Sequence, residues 1–131
     1  GARRAAVRGF LGVARRRWNA TETIVVPCAV QGDAATQEIV TALELAQRLT
    51  GVDVIALVRG GGSLEDLASF NSEPVARAIF RSTVPVVTGV GHEIDLTIAD
   101  LVADVRALTP SEAAERIFPD ASKLKQECSL W

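Results

Sequence analysis

The sequence has no methionine and no tyrosine, one histidine, two cysteines and only 5% aromatic residues. With so few rings, the core of this 131-residue chain must be assembled from Val, Ile, Leu and Ala. Cys28 and Cys128 lie far apart, make no Cys-x-x-Cys pair and, with one His, cannot complete a zinc cluster. Two reduced thiols in a cytoplasmic protein are the expectation. No apolar run reaches the roughly 18 residues that a membrane helix needs. No charged-then-apolar signal segment opens the chain. It begins Gly1-Ala2-Arg3-Arg4, already in a helical pattern, as expected of a piece of a longer protein.

Hydrophobic residues make up 48% and charged residues 23%. Those ordinary values exclude a disordered chain, a collagen-like fibre and a coiled coil. The length suits one domain, able to bury about two-thirds of its unfolded surface without a disulfide or metal staple. Fourteen basic and 16 acidic residues give a net charge of −2, which excludes a uniformly basic nucleic-acid binder. The distribution is uneven, because all six charges within residues 1–17 are arginines (Arg3, Arg4, Arg8, Arg15, Arg16 and Arg17). Such a helix suits phosphates or an acidic partner, or is a solvated face.

Val7, Phe10, Leu11 and Ala14 follow helical spacing, predicting an amphipathic helix over about 3–17. Thr23-Ile24-Val25-Val26, ended by Pro27, reads as a buried strand. A loop, Cys28–Asp33, leads to a helix carrying Ile39, Leu43, Ala46 and Leu49, stopped by Gly51. Val54–Val58 is a second apolar strand, expected at the centre of the sheet, followed by Arg59-Gly60-Gly61-Gly62-Ser63. A helix near 73–82 has Pro74 in its first turn. A third strand starts at Val84 and runs into Gly89-Val90-Gly91-His92. Ile94, Ile98 and Leu101 mark another helix, and Thr109-Pro110-Ser111-Glu112 opens a last one through about Ile117. The order is αβαβαβαα. Strands that are continuous apolar runs are covered on both faces. The fold class is therefore α/β, a three-layer, mostly parallel, Rossmann-like sheet flanked by helices. Residues 1–120 form the domain and 121–131 a polar tail.

In such a sheet every strand ends on one edge, and ligands bind in the crevice there. Three glycines after a strand let the backbone approach an anion closely. Arg59 offers a planar fork suited to phosphate oxygens. Ser63 is placed to cap the next helix, with Asp66 three residues on, and helix-terminus amides favour phosphate. This is neither a Walker A loop nor the dinucleotide fingerprint. His92 is the one side chain whose ordinary titration falls near neutral pH. If a helix starts near Glu93, His92 and Asp95 share one side of its first turn, a competent acid–base pair. His-Glu-x-x-His is absent, so a zincin is rejected. Asp33 is either a plain helix cap or, with Gln31, a substrate contact. An Arg, a His and acids around a glycine loop suggest phosphoryl-transfer chemistry. The residues alone leave a phosphodiesterase, a phosphatase and a phosphate-binding module open.

At these residues the sequence resembles the large subunit of bacterial exonuclease VII. The resemblance is carried by Ala29-Val30-Gln31-Gly32-Asp33, by Val58 through Leu67 with Phe70-Asn71, by Pro85-Val86-Val87 through Gly91-His92-Glu93-x-Asp95-x-Thr97-Ile98-Ala99-Asp100, and by Val102 through Ala107 with Thr109-Pro110-Ser111. It covers about residues 5–120. It implies a nuclease degrading single-stranded DNA from both ends into short oligonucleotides, with a large subunit that assembles with several small subunits. It also implies an N-terminal OB-fold and a long helical C-terminal region, neither present in this chain. Arg59, His92 and Asp95 match the family's catalytic residues. Gln31, Asp33, Gly60, Gly61, Gly62, Ser63, Glu65 and Asp66 are the expected substrate contacts. The implied chemistry does not strictly require a divalent metal, with magnesium at most a stimulator. The chain departs from the family at Gly9, where an Asp is usual, at Arg4, where a Gly is usual, and at Leu108, where a Pro is usual. The missing acid at position 9 favours a binding module that holds DNA without cleaving it, whereas Arg59, His92 and Asp95 favour an enzyme.

Overall fold

The computed structural model describes residues 2–18, 22–30, 32–60, 64–90, 96–120 and 123, with side chains for all but 2–5 and 64–66. In chain order it contains helix α1 (Ala2–Arg17), α2 (Ala35–Arg48), strand β1 (Ile55–Val58), a 3₁₀ helix (Leu64–Asn71), α3 (Glu73–Arg81), β2 (Val86–Gly89), α4 (Ile98–Val102), β3 (Val105–Ala107) and α5 (Pro110–Ile117). The strands form a parallel sheet in the order β1-β2-β3. Leu57, Thr88 and Arg106 lie side by side across it, and Val58, Gly89 and Ala107 form the next row.

Alternate strand residues feed two separate cores, which makes three layers. Ile55, Leu57 and Val86 point into one, where α2 supplies Ile39 and Leu43, α3 supplies Val75 and Ile79, and the 3₁₀ helix supplies Leu67 and Phe70. Val87 and Ala107 point into the other, against Phe10, Val13 and Ala14 of α1 and Ala113 and Ala114 of α5. This is the α/β class expected of apolar strands covered on both faces. Among the described residues no helix is long and apolar enough to cross a membrane.

In the second layer α1 and α5 run side by side in the same direction. The space beside Gly9 is bounded by Ser111 in the first turn of α5, and Arg17 Nε donates to the Phe118 carbonyl at 2.8 Å. The Phe10 and Phe118 rings meet edge to face, centroids 5.9 Å apart. Because α5 starts where β3 ends, the N-terminal half of α1 lies toward the C-terminal edge of the sheet.

Three expectations are corrected. Residues 23–27 are not a strand: Ile24 is 55% and Val25 50% exposed, so neither side of the run is buried. β-branched residues favour an extended backbone but do not by themselves provide a partner, and Pro27 has no N–H to offer one. A cavity of about 650 Å³, lined by residues including Phe10, Val26, Leu43, Ile55 and Leu57, lies between this run and β1. Consequently β1 is an edge strand among the described residues, and β2 is central. The helix carrying Leu101 does not begin near Glu93. Thr97 is extended (φ −103°, ψ 163°) and caps a helix starting at Ile98.

Other local signals behave as their chemistry requires. Pro74 stands in the first turn of α3. Thr109 caps α5, its hydroxyl accepting from Glu112 N at 3.1 Å, while Glu112 Oε2 accepts from Leu108 N. Gly51 has φ +81°, three residues beyond the end of α2. Position 34, not Asp33, is the N-cap of α2, and no side chain caps that helix.

Candidate active site

The C-terminal ends of β1 and β2 converge on Arg59. Its backbone N–H donates to the Gly89 carbonyl at 3.1 Å, extending the β1–β2 ladder by one residue. Its Nη1 donates to the Val90 carbonyl at 3.3 Å. The residue is 5% exposed, unusual for an arginine. Arg59 occupies the same side of β1 as Ile55 and Leu57, so the strand's alternation aims it over the α2–α3 layer. The bond to Val90, a neutral acceptor, fixes where the planar fork lies.

Several sequence-derived candidates lie outside the described residues: Gln31, Gly61, Gly62, Ser63, His92 and Asp95. Glu65 and Asp66 are placed as backbone within the 3₁₀ helix, which replaces the α-helix expected after Ser63. Gly60 is half-buried directly after Arg59, and Asp33 is exposed in the turn before α2, next to Gly32 with φ +90°.

The rim of this edge is joined by side-chain bonds that sequence reasoning missed. Thr36 Oγ1, in the first turn of α2, donates to Ser69 Oγ of the 3₁₀ helix at 3.3 Å. Asn71 Oδ1, at the end of that helix, accepts from Ile98 N at 3.0 Å. Behind Ile98 stands a buried carboxylate, Asp100. Its Oδ1 accepts from Thr88 Oγ1 at 2.7 Å, and its Oδ2 accepts from Thr97 N at 3.0 Å and Thr97 Oγ1 at 2.9 Å. Arg106 Nε lies 3.7 Å from Oδ2. The side chain of Asp100 is fully enclosed, with that of Arg106 27% exposed. A carboxylate is tolerated there because donors and a cation surround it. The Thr-x-x-Asp spacing of Thr97 and Asp100 is a capping-box signal legible in the sequence. The link to Thr88 depends on folding.

Two arginines, Arg59 directly after β1 and Arg106 on β3, thus stand on one side of the sheet near its C-terminal edge, flanking β2. Among the described residues no group of three His, Cys, Asp or Glu side chains is placed to hold a metal ion.

The sequence model of the family described as "Exonuclease VII, large subunit" matches residues 2–130. The chain is 56% identical over 127 residues to the exodeoxyribonuclease 7 large subunit of Hahella chejuensis, covering 97% of this chain and 29% of that protein. The protein of that name from Moorella thermoacetica is 52% identical over 122 residues, covering 93% of this chain and 30% of its own length. That from Haemophilus influenzae is 53% identical over 123 residues, covering 94% of this chain and 28% of its own length.

Proposed function

From the premise that this chain belongs to the exonuclease VII large-subunit family, we propose that it is the catalytic core of an exonuclease that hydrolyses phosphodiester bonds of single-stranded DNA. The proposal extends to attack from both ends, to short oligonucleotide products and to small subunits as partners in a cytoplasmic complex. The chain spans under a third of the relatives it matches, so these properties of the whole enzyme are inferred rather than inherited. The observation that carries the reading is the buried Arg59, whose fork is held against Val90 on the strand that runs into Gly91-His92.

In this mechanism Arg59 lies beside the scissile phosphate and offsets the charge that builds on its non-bridging oxygens as water attacks phosphorus. A guanidinium stays protonated throughout, so it supplies charge without exchanging protons. His92 takes the proton of the attacking water while the bond from phosphorus to one sugar oxygen breaks, that oxygen leaves as a hydroxyl with a proton from solvent, and Asp95 orients the imidazole. Gly60, Gly61, Gly62 and Ser63 let the substrate backbone approach closely. Gln31, Asp33, Glu65 and Asp66 contact the strand at the rim. No step is routed through a metal ion.

The test is single-turnover cleavage of a labelled single-stranded oligonucleotide by the parent protein and a His92→Ala variant, beside a duplex control. Loss of a positioned general base lowers the rate about 10²–10⁴-fold with DNA affinity retained. A His92→Ala variant that cleaves at the parent rate removes His92 from the chemistry.

A further inference from the structure

We propose that Asp100 is a positioning residue for this hydrolysis, a buried clamp that ties together the two stems of the segment leading to and from His92 and Asp95. The inference rests on the reading above, in which Arg59, His92 and Asp95 do the chemistry. The two stems are Thr88–Val90, at the end of β2, and Leu96–Thr97, at the start of α4. One carboxylate holds both, Oδ1 taking the Thr88 hydroxyl at 2.7 Å and Oδ2 taking the amide and hydroxyl of Thr97 at 3.0 and 2.9 Å.

The bonds are reciprocal, since Thr97 Oγ1 also accepts from Asp100 N at 3.2 Å. Thr88 and Thr97 are fully buried, so water does not compete for these groups. A threonine in the middle of an apolar sheet costs free energy unless its hydroxyl is satisfied, and Asp100 is the group that satisfies Thr88.

The clamp also bears on Arg59. Thr88 fixes the end of β2, two residues before Val90, and Val90 is where the guanidinium of Arg59 is held. From the other stem, Ile98 N reaches Asn71, which ends the 3₁₀ helix after the glycine loop. Asp100 therefore joins the chain on either side of the segment that carries His92 and Asp95, and one of the two stems it holds ends at the Val90 carbonyl that receives Arg59. Arg106, 3.7 Å away, balances its charge from β3.

Positioning of this kind shows in kcat rather than in affinity, because misplacement by about 1 Å costs roughly 10²-fold in rate. The decisive variants are Thr97→Val, which removes the hydroxyl, and Thr97→Ser, which restores it. Thr88→Val isolates the other stem. Asp100→Ala breaks all three bonds at once; should it fail to fold, the threonine variants still decide. Single-turnover cleavage and single-stranded DNA binding are measured on the full-length enzyme, with amide hydrogen exchange on the same samples. Thr97→Val and Thr88→Val are expected to lower the rate of the folded enzyme about 10–10²-fold with the Kd within about twofold. Thr97→Ser returns the rate to the parent value. Peptides covering 86–90 and 96–101 exchange about tenfold faster in the valine variants, while α5 peptides are unchanged. Parent rates in both valine variants, or a uniform rise in exchange along the chain, would reduce Asp100 to a purely structural residue. If the parent itself does not cleave DNA, the nuclease reading fails, and the exchange data still decide whether Asp100 clamps the two stems.

Discussion

Arg59, the residue directly after β1, donates from its guanidinium to the carbonyl of Val90, the residue directly after β2, across 3.3 Å. Parallel pairing brings the two residues together. Val58 and Gly89 are register partners, so the residues that follow them leave the sheet together. Replacing Arg59 should test charge and shape separately. Arg59→Ala is expected to weaken single-stranded DNA binding and to lower cleavage about 10²–10³-fold, since a phosphate clamp acts in ground and transition states. Arg59→Lys keeps the charge but lacks the planar fork that Val90 orients, so it should recover affinity better than rate. Recovery of the full rate by lysine would show that position and fork shape do not matter.

Metal dependence is the second test. Cleavage is expected to persist after exhaustive chelation, with added magnesium acting as a stimulator only. The expectation follows from the one-histidine site and from a chemistry that assigns proton transfer to His92 and charge to Arg59. Complete loss on chelation, restored by magnesium, would require a metal-activated water instead.

Two phenylalanines ten residues apart give a stability contrast. Phe70 is fully buried between the 3₁₀ helix and the sheet, whereas Phe80 on α3 is 82% exposed. Phe70→Ala should cost about 3–5 kcal/mol of unfolding free energy through the lost transfer term and the cavity left behind. Phe80→Ala should fall within about 0.5 kcal/mol of the parent. Urea denaturation of both variants checks this, and similar midpoints would contradict the burial assigned to Phe70.

Position 9 is the fourth. A Cβ there would sit 3.1 Å from Ser111 Oγ, tighter than ordinary contact, although a hydroxyl can rotate away. A glycine inside a helix costs roughly 0.5–1 kcal/mol relative to alanine. Gly9→Ala combined with Ser111→Ala should therefore be more stable than Ser111→Ala alone by that amount, measured by urea denaturation. Gly9→Asp would place the acid that the resemblance implies at this position beside the N-terminus of α5, where negative charge is favoured. A higher single-turnover rate is expected, and an unchanged one would mean that the acid is dispensable in this chain.

How legible all this was from residues alone varied with how local each cause is. Helical spacing located α1 and α2, and Pro74 and Thr109 marked helix starts because both act within one turn. The continuous apolar run 54–58 gave β1, but its place at the edge depends on whether 23–27 pairs with it, which no local pattern states. β3 escaped notice because Val105-Arg106-Ala107 is three residues long with a charge in the middle. That arginine is in the strand through its pairing with Thr88, and its side chain lies 3.7 Å from Asp100, six positions earlier. The same limit applies to the site. Arg59 announced itself by following a strand and preceding glycines. Thr88 and Asp100, by contrast, look like an ordinary strand residue and an ordinary helix acid until the fold sets them 2.7 Å apart.

Gly89 carries a consequence for how this edge tolerates sequence change. A Cβ at that position would stand 2.8 Å from the Thr109 carbonyl oxygen and 3.1 Å from Ala113 Cβ. Backbone meets backbone there, so no rotamer change relieves the crowding. One added methyl group would act as a wedge between β2 and the start of α5, tilting the strand that delivers Val90 to Arg59. The proposed activity would then be lost through α5, a layer that supplies none of the proposed chemistry, with Arg59, His92 and Asp95 all unchanged in sequence.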